Sequence, residues 1–392
     1  EIAPSFPRSD IFLPRRFCLL CCAPGLIASV LLSTLASSAE LETTLATIQE
    51  VGPQGAGAAE AATAWKTLSQ SNASDLPTLL AAIDDEKPLA ANYIRSAIEA
   101  IAEREPDELP ADRLEKFTLD TKNDPRARRL AYELLLRVEP KAESRLLPQM
   151  VSDPSVEMRR DAVAQLLTQA EGADEKKVLQ TAFAAAVDDD QVKDIAKRLK
   201  DLGEEVDIAQ HYGFIMDWHI VGPFDNAEEQ GFDKPHGPEG EAIKLSQTFK
   251  GSHDQSEVDW KKVTSEDDYG RIDLNEELGK HKSAIAYAVA TFNANKAQPV
   301  ELRYKSKNAC KVWLNGKLID QREVYHADGG PALDQYTALG TLQEGTNTIL
   351  LKICQNDQQE SWAQDWAFQL RVSDSAGAAV HSNNGERGAL AP

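Results

Sequence analysis

Apolar and polar positions follow two rhythms along this chain, one up to about residue 205 and another beyond 210. The first is helical. In 124–138, Ala127, Leu130, Ala131, Leu134, Leu135 and Val138 recur at spacings of three and four, which places them on one helix face. Asp124-Pro125 supplies a capping carboxylate and a proline at the first helical position. The device recurs at Asp153-Pro154, ahead of Met158-Arg159, Ala162 and Leu166. Weaker copies follow Asp189 (Val192, Lys193, Ala196, Leu199) and Asp85 (Ile94, Arg95, Ile98). These aspartates lie 39, 29 and 36 residues apart, and each follows another amphipathic segment, at 76–83, 114–119, 144–151 and 176–187. That is the period of a two-helix repeat: one pair cannot bury its stripe, but stacked pairs share one.

After Gly203 the helical period fades, and five of the six tryptophans lie beyond it. The rhythm becomes alternation. Strands are predicted at 214–221, 258–263, 284–292, 300–304, 311–314, 336–339, 348–353 and 366–372, joined by Gly, Pro, Asn and Asp clusters instead of helices. Ile349, Leu351 and Ile353 share one face, as do Phe368, Leu370 and Val372. Val312-Trp-Leu-Asn-Gly-Lys317 breaks at Asn315-Gly316, residues that suit a turn with positive φ. This pattern predicts an antiparallel sandwich.

The first half resembles HEAT-type repeats, best at Asp153-Pro-Ser-Val-Glu-Met-Arg-Arg-Asp-Ala-Val-Ala-Gln-Leu166. The second half carries Trp218-His-Ile-Val-Gly-Pro-Phe224, Gly231-Phe-Asp233, Trp260-Lys261, Ala286-Tyr-Ala288, Val312 to Lys317, and Leu342-x-x-Gly-x-Asn-x-Ile-Leu-Leu-Lys352. Over about 212–373 it resembles the galactose-binding-like jelly rolls of secreted bacterial proteins, relatives of which accompany glycoside hydrolases as carbohydrate-binding modules. The expected fold is α+β and multidomain: an α-solenoid of HEAT-like helix pairs over 40–208, an antiparallel β-sandwich (jelly roll) over 209–375, and a disordered tail over 376–392. The first resemblance implies a docking surface, with Arg128, Arg129, Arg159 and Arg160 as a basic ridge or as partners of nearby Asp and Glu. The second implies sugar binding. Jelly rolls of this kind commonly hold a structural calcium, for which Asp225, Asn226, Asp328 and Asp365 offer oxygens. No spaced calcium loop is present, and no other cofactor is expected.

At 392 residues, 42% apolar and 27% charged, the chain has room for two or three packed domains. Its net charge of −21 without a Lys/Arg stripe argues against nucleic acid and anionic membranes as partners. Arg15-Arg16, the apolar run 17–35 and Ser37-Ser-Ala39 read as a secretory signal over 1–39, so export is expected, with no membrane partner after cleavage. The five cysteines include Cys18, Cys21 and Cys22 inside that run. Cys310 shares parity with Val312 and Leu314, whereas Cys354 lies opposite the Ile349/Leu351/Ile353 face, so the two point apart and no disulfide is expected between them.

Sugar recognition needs a flat aromatic face flanked by hydroxyl-binding polar groups. Two polar loops supply them. Residues 321–334 hold Arg322, Tyr325, His326 and Asp328, and 355–365 hold Asn356, Asp357, Gln359, Trp362 and Asp365. The candidate ligand residues are Trp362, Tyr325, Arg322, Asp328 and Asp365. Trp362 lies in a polar run and is expected exposed, whereas Trp366 shares parity with Phe368 and is expected in the core. His219 reads as structural. No His-Glu-x-x-His, Gly-x-Ser-x-Gly, P-loop or dinucleotide fingerprint is present. The expected function is therefore an exported, non-enzymatic binding protein. Its sandwich recognises a glycan and its repeats dock a protein, the alternative being a structural adaptor with no sugar binding. Convergence of the two loops around an exposed Trp362 would favour the glycan.

Overall fold

The computed structural model describes residues 39–383, apart from 85, 240–242, 253–256, 328–329 and 331. The expected signal segment 1–39 therefore lies almost wholly outside the described residues. No helix among those described is long and apolar enough to cross a membrane. The chain is α+β. It divides into two compact units at Val138/Glu139.

The first unit is helical: α1 (39–49), α2 (Ala58–Leu68), α3 (Leu76–Ala81), α4 (Pro88–Arg104), α5 (Ala111–Leu119) and α6 (Pro125–Val138). Helix α6 starts where the sequence expects. Asp124 Oδ1 accepts from the backbone N–H of Arg126 at 2.8 Å and of Ala127 at 3.0 Å. Its predicted stripe is buried except for Val138 at the helix end. Arg128 is buried and donates Nε–H to the Thr118 carbonyl at 2.8 Å, and Arg129 pairs with Glu133 at 2.9 Å. These two arginines of the expected ridge serve the fold.

The second unit opens with α7 (Ala142–Leu146), α8 (Val156–Thr168), α9 (Glu175–Ala185), α10 (Asp189–Asp201) and α11 (Ile208–Tyr212). Here the cap differs from expectation. Helix α8 begins at Val156, and Ser155, not Asp153, accepts at its N-terminus, while Asp153 Oδ1 holds the Ser155 N–H at 2.8 Å. Arg159 is buried and donates to the Asp153 carbonyl; Arg160 makes a two-pronged pair with Asp190 at 2.7 and 2.5 Å. No part of the expected ridge is left as a bare cationic surface.

The strands follow: β1 (Asp217–Asp225), β2 (Phe249–Lys250), β3 (Glu257–Val258), β4 (Lys261–Thr264), β5 (Ile272–Asp273), β6 (Ala284–Ala294), β7 (Gln298–Lys305), β8 (Ala309–Leu314), β9 (Lys317–Arg322), β10 (Tyr336–Leu342), β11 (Gly345–Gln355) and β12 (Ala367–Ser373). Six form one sheet in the order β4-β1-β6-β11-β8-β9, four a second in the order β10-β7-β12-β5, and β2 pairs with β3. All named pairs are antiparallel. Trp218, Ile220, Val312, Ile349, Leu351 and Ile353 of the larger sheet share one apolar cluster with Leu302, Tyr304, Phe368, Leu370 and Val372 of the smaller. Trp366 lies in it, as its parity predicts. Cys310 is in this cluster and Cys354 on the opposite face of the sheet; both are buried free thiols. Asn315 (φ 52°) and Gly316 (φ 77°) make the β8–β9 turn.

One feature lay outside the sequence-based expectation and two depart from it. The outer face of the larger sheet is buried too: Val221, Ile285, Tyr287, Val289, Leu350 and Cys354 pack under Phe232, Phe249 and Val258 from the segment after β1. Helices α8 to α11 belong to the same unit as the sheets. Their cluster, with Leu179, Ile195, Leu199, Ile208 and Tyr212, takes in Phe214 and packs against Tyr269 and Leu333. The change from helix to strand near 208 is thus not where the chain divides. The expected tail is also ordered through residue 383. Ala379 bridges Ser373, Val380 N–H donates to the Val372 carbonyl at 2.9 Å, and Asn383 N–H donates to that of Asn293 at 2.9 Å. Residues 384–392 lie outside the described residues.

Candidate functional site

At one end of the larger sheet, three loops meet. They are the segment leaving β1 at Asn226, the loop after β9, and the loop 356–365 between β11 and β12. Trp362 sits on a short 3-10 turn, Ser361–Ala363, with 57% of its surface exposed. The His326 ring meets it edge-on, with centroids 5.3 Å apart. Asn356 holds His326: Nε2 and Oδ1 lie 2.6 Å apart. Asn356 Nδ2 donates to Glu229 Oε1 at 3.0 Å and to Gln358 Oε1 at 3.2 Å. Beneath the turn, Lys282 Nζ donates to the Ala363 carbonyl at 2.7 Å, and burial lowers the pKa of that amine.

Asn226 closes the cluster from the β1 side. Its Nδ2 donates to Tyr325 Oη at 3.2 Å and to the Gln355 carbonyl at 3.0 Å, and its backbone N–H to that of Ser283 at 2.9 Å. Tyr325 is half-buried against the outer-face cluster, which raises its phenol pKa. His326 (φ 56°) and Glu229 (φ 61°) both occupy the left-handed region, unusual for these residue types. Both bond the same Asn356.

The five residues expected to bind ligand fare differently. Trp362 is exposed, and His326 of the 321–334 loop meets it and Asn356 of the 355–365 loop. Tyr325 lies in the same cluster but as a half-buried brace. Asp365 is half-exposed and pairs with Lys307 at 2.8 Å, and its carbonyl accepts from Asn308 Nδ2 at 3.0 Å. Arg322 turns toward the smaller sheet. It donates to Asp320 Oδ2 at 3.1 Å and lies 5.4 Å over the Tyr336 ring, because its parity on β9 carries it away from Trp362. Asp328 lies outside the described residues. Asn356 and His326 of the two loops and Asn226, named for its oxygen, complete the cluster with Glu229, through bonds that span 30 to 129 positions.

The three described groups named for calcium each have other contacts, and Asp328 lies outside the described residues. Asp225 Oδ1 accepts from the Ala227 N–H at 3.2 Å, Asn226 acts as a donor, and Asp365 pairs with a lysine. Among the described residues no group of three or more His, Cys, Asp or Glu side chains is placed to hold a metal ion. Chemically the cluster offers a flat indole face, braced at its edge and bordered by amides and carboxylates.

No family model matches the chain, and no curated protein matches it. Among solved structures it is similar to a GH31 α-xylosidase from Xanthomonas citri, at 13% identity and a TM-score of 0.15 over 24% of this chain and 12% of that one. It is also similar to a β-glucosidase from Kluyveromyces marxianus in complex with glucose, at 10% identity and a TM-score of 0.27, over 71% of this chain and 35% of that one. A selenomethionine form of that β-glucosidase gives 10% identity and a TM-score of 0.24, over 70% and 35%. The chain thus spans about a third or less of each. All three are glycoside hydrolases, and this finding corrects the expectation of a non-enzymatic binding protein with a docking array or, alternatively, a structural adaptor. At these TM-scores the likeness assigns no activity to this chain.

Proposed function

We propose that this is a carbohydrate-active chain whose two sheets form a galactose-binding-like sandwich, and that the loop cluster around Trp362 contacts a saccharide. The observation that supports this best is a mostly exposed tryptophan on a polar loop, braced by His326 through Asn356. An exposed indole costs hydrophobic free energy unless something covers it, and the C–H face of a pyranose fits a flat ring. Strained backbone at His326 and Glu229 fits a site whose geometry is held for a ligand. The glycan is the proposed partner.

The test uses the full chain. A glycan array identifies a ligand, titration calorimetry gives its Kd, and product analysis of the same samples reads cleavage. Trp362→Ala is expected to weaken binding about tenfold or more, on the order of 1.4 kcal/mol. A folded Trp362→Ala variant that binds as well as the parent, or an array on which the full chain is silent, would sink the proposal.

A further inference from the structure

Residues 226–239 cover part of the outer face of the larger sheet, beside Phe249 and Val258, and charged groups hold that segment down. Lys352, fully buried on β11, donates to the carbonyls of Phe232 and Lys234, each at 2.9 Å, and to Glu239 Oε1 at 2.7 Å. Tyr287 Oη on β6 donates to the same carboxylate oxygen. Lys311 on β8 donates to Asp233 Oδ1 at 2.9 Å and lies 4.3 Å from the Phe232 ring centre. The segment packs tightly on the sheet, since a Cβ on Gly231 would lie 2.5 Å from Ile285 Cδ1.

Inside this arrangement sits His236. Its ring lies 5.2 Å from Phe224 and 6.4 Å from Tyr287, and its Nε2 is buried with no hydrogen-bond partner. The charged and titratable groups facing it are Lys352 on β11, Tyr287 on β6, Asp225 at the end of β1, and Lys234 and Glu239 of its own segment. Neutral imidazole tolerates that place, whereas imidazolium would carry an unsatisfied buried N–H among two ammonium groups and two carboxylates. The same segment reaches the Trp362 cluster through Asn226 on Tyr325 and Glu229 on Asn356.

We propose that residues 226–239 form an acid-released strap: protonation of His236 frees the segment from the sheet and takes the Trp362 cluster apart. This regulates the saccharide site proposed above, and its saccharide arm rests on that reading. Burial, then Lys352, lowers the His236 pKa in the closed state. A group whose pKa is lowered in the closed form stabilises that form fully above its open-state value, about 6.5, and less as pH falls below it. Opening through one proton therefore grows by up to about tenfold between pH 7.5 and 5.5, above the range in which ordinary carboxylates titrate.

Cys354 reports on the strap, because its thiol is buried in the outer-face cluster to which Phe232 of the strap belongs, while Cys310 lies in the inter-sheet cluster. The full chain is labelled with a pyridyl disulfide, which reacts at acid pH. Peptide mapping separates the five cysteines, and rates are normalised to the denatured chain. The expected result is a rise of up to about tenfold at Cys354 between pH 7.5 and 5.5 with Cys310 protected, and no rise in His236→Phe. A flat Cys354 rate, joint labelling of Cys310, or an unchanged acid step in His236→Phe would each overturn the proposal. Amide exchange of the parent chain tests the same opening without a variant: exchange at 226–239 must quicken with acid, after correction for intrinsic rates, while β6 and β11 stay protected. Saccharide affinity should fall over the same range in the parent only; loss of labelling and loss of binding are read separately, so either reading can fail alone.

Discussion

Single residues show where local chemistry decides. Gly316 takes φ of 77° in the β8–β9 turn, and a Cβ there would meet nothing within 4 Å. Gly316→Ala should therefore cost only backbone strain, about 1 kcal/mol, measured by denaturant unfolding. Gly222 contrasts with it: at φ 156° inside β1, its Cβ would lie 2.7 Å from the Ile285 carbonyl oxygen. Gly222→Ala should cost clearly more, because main chain on a central strand must move. The Asn-Gly turn was legible because its residue types carry their own conformation. Trp362 was legible because a tryptophan in a polar run has few apolar neighbours in sequence. His326, Asn356 and Asn226 were named, but their bonds to one another were not legible, since such partners are set by loops that meet only in the fold. Arg322 misled because it shares a loop with Tyr325 while β9 alternation sends it to the other face.

At the scale of elements, alternation found β1, β6, β7, β8, β10, β11 and β12, missed β2, β5 and β9, and gave no reading of the outer face. Lys352 and Lys311 on β11 and β8 are both buried and bond to 226–239, a segment rich in Gly, Pro and charge that carries no period. Ion pairs, not periodicity, seat it. Such a pair is worth little against apolar isosteres, but losing one partner leaves an uncompensated charge. Glu239→Gln should thus destabilise the second unit by about 3 kcal/mol, the low end for a broken buried pair because two carbonyls still receive Lys352. Adding Lys352→Met should recover much of that loss. Denaturant unfolding of both variants, in a double-mutant cycle, measures the coupling; additive losses would contradict the account.

At the scale of the whole molecule, the sequence placed the main division at the change from helix to strand, and the packing places it at Val138/Glu139. Composition marks where secondary structure changes, whereas a unit boundary marks where few side chains cross. Many cross near 208. Tyr212 Oη donates to Asp189 Oδ1 at 3.2 Å, Arg371 of β12 donates to the Tyr212 carbonyl at 3.3 Å, and Phe214 bridges Arg371 through the backbone. Arg371 is itself buried, forks onto Asp334 at 2.8 and 2.6 Å, and donates to the Gly377 carbonyl at 2.9 Å. A fragment cut at 209–375 would strip Phe214 and Tyr269 of the α9–α11 cluster and deprive Arg371 of Gly377. It would also remove Val380 from the sheet core, against which it packs. Fragment 139–392 keeps all of these. The shorter fragment should therefore bind a hydrophobic dye and melt broadly, while 139–392 melts cooperatively with little dye bound. Equal cooperativity in the two would mean that the helices after Val138 pack on the sheets without stabilising them, and that the compositional boundary is the physical one.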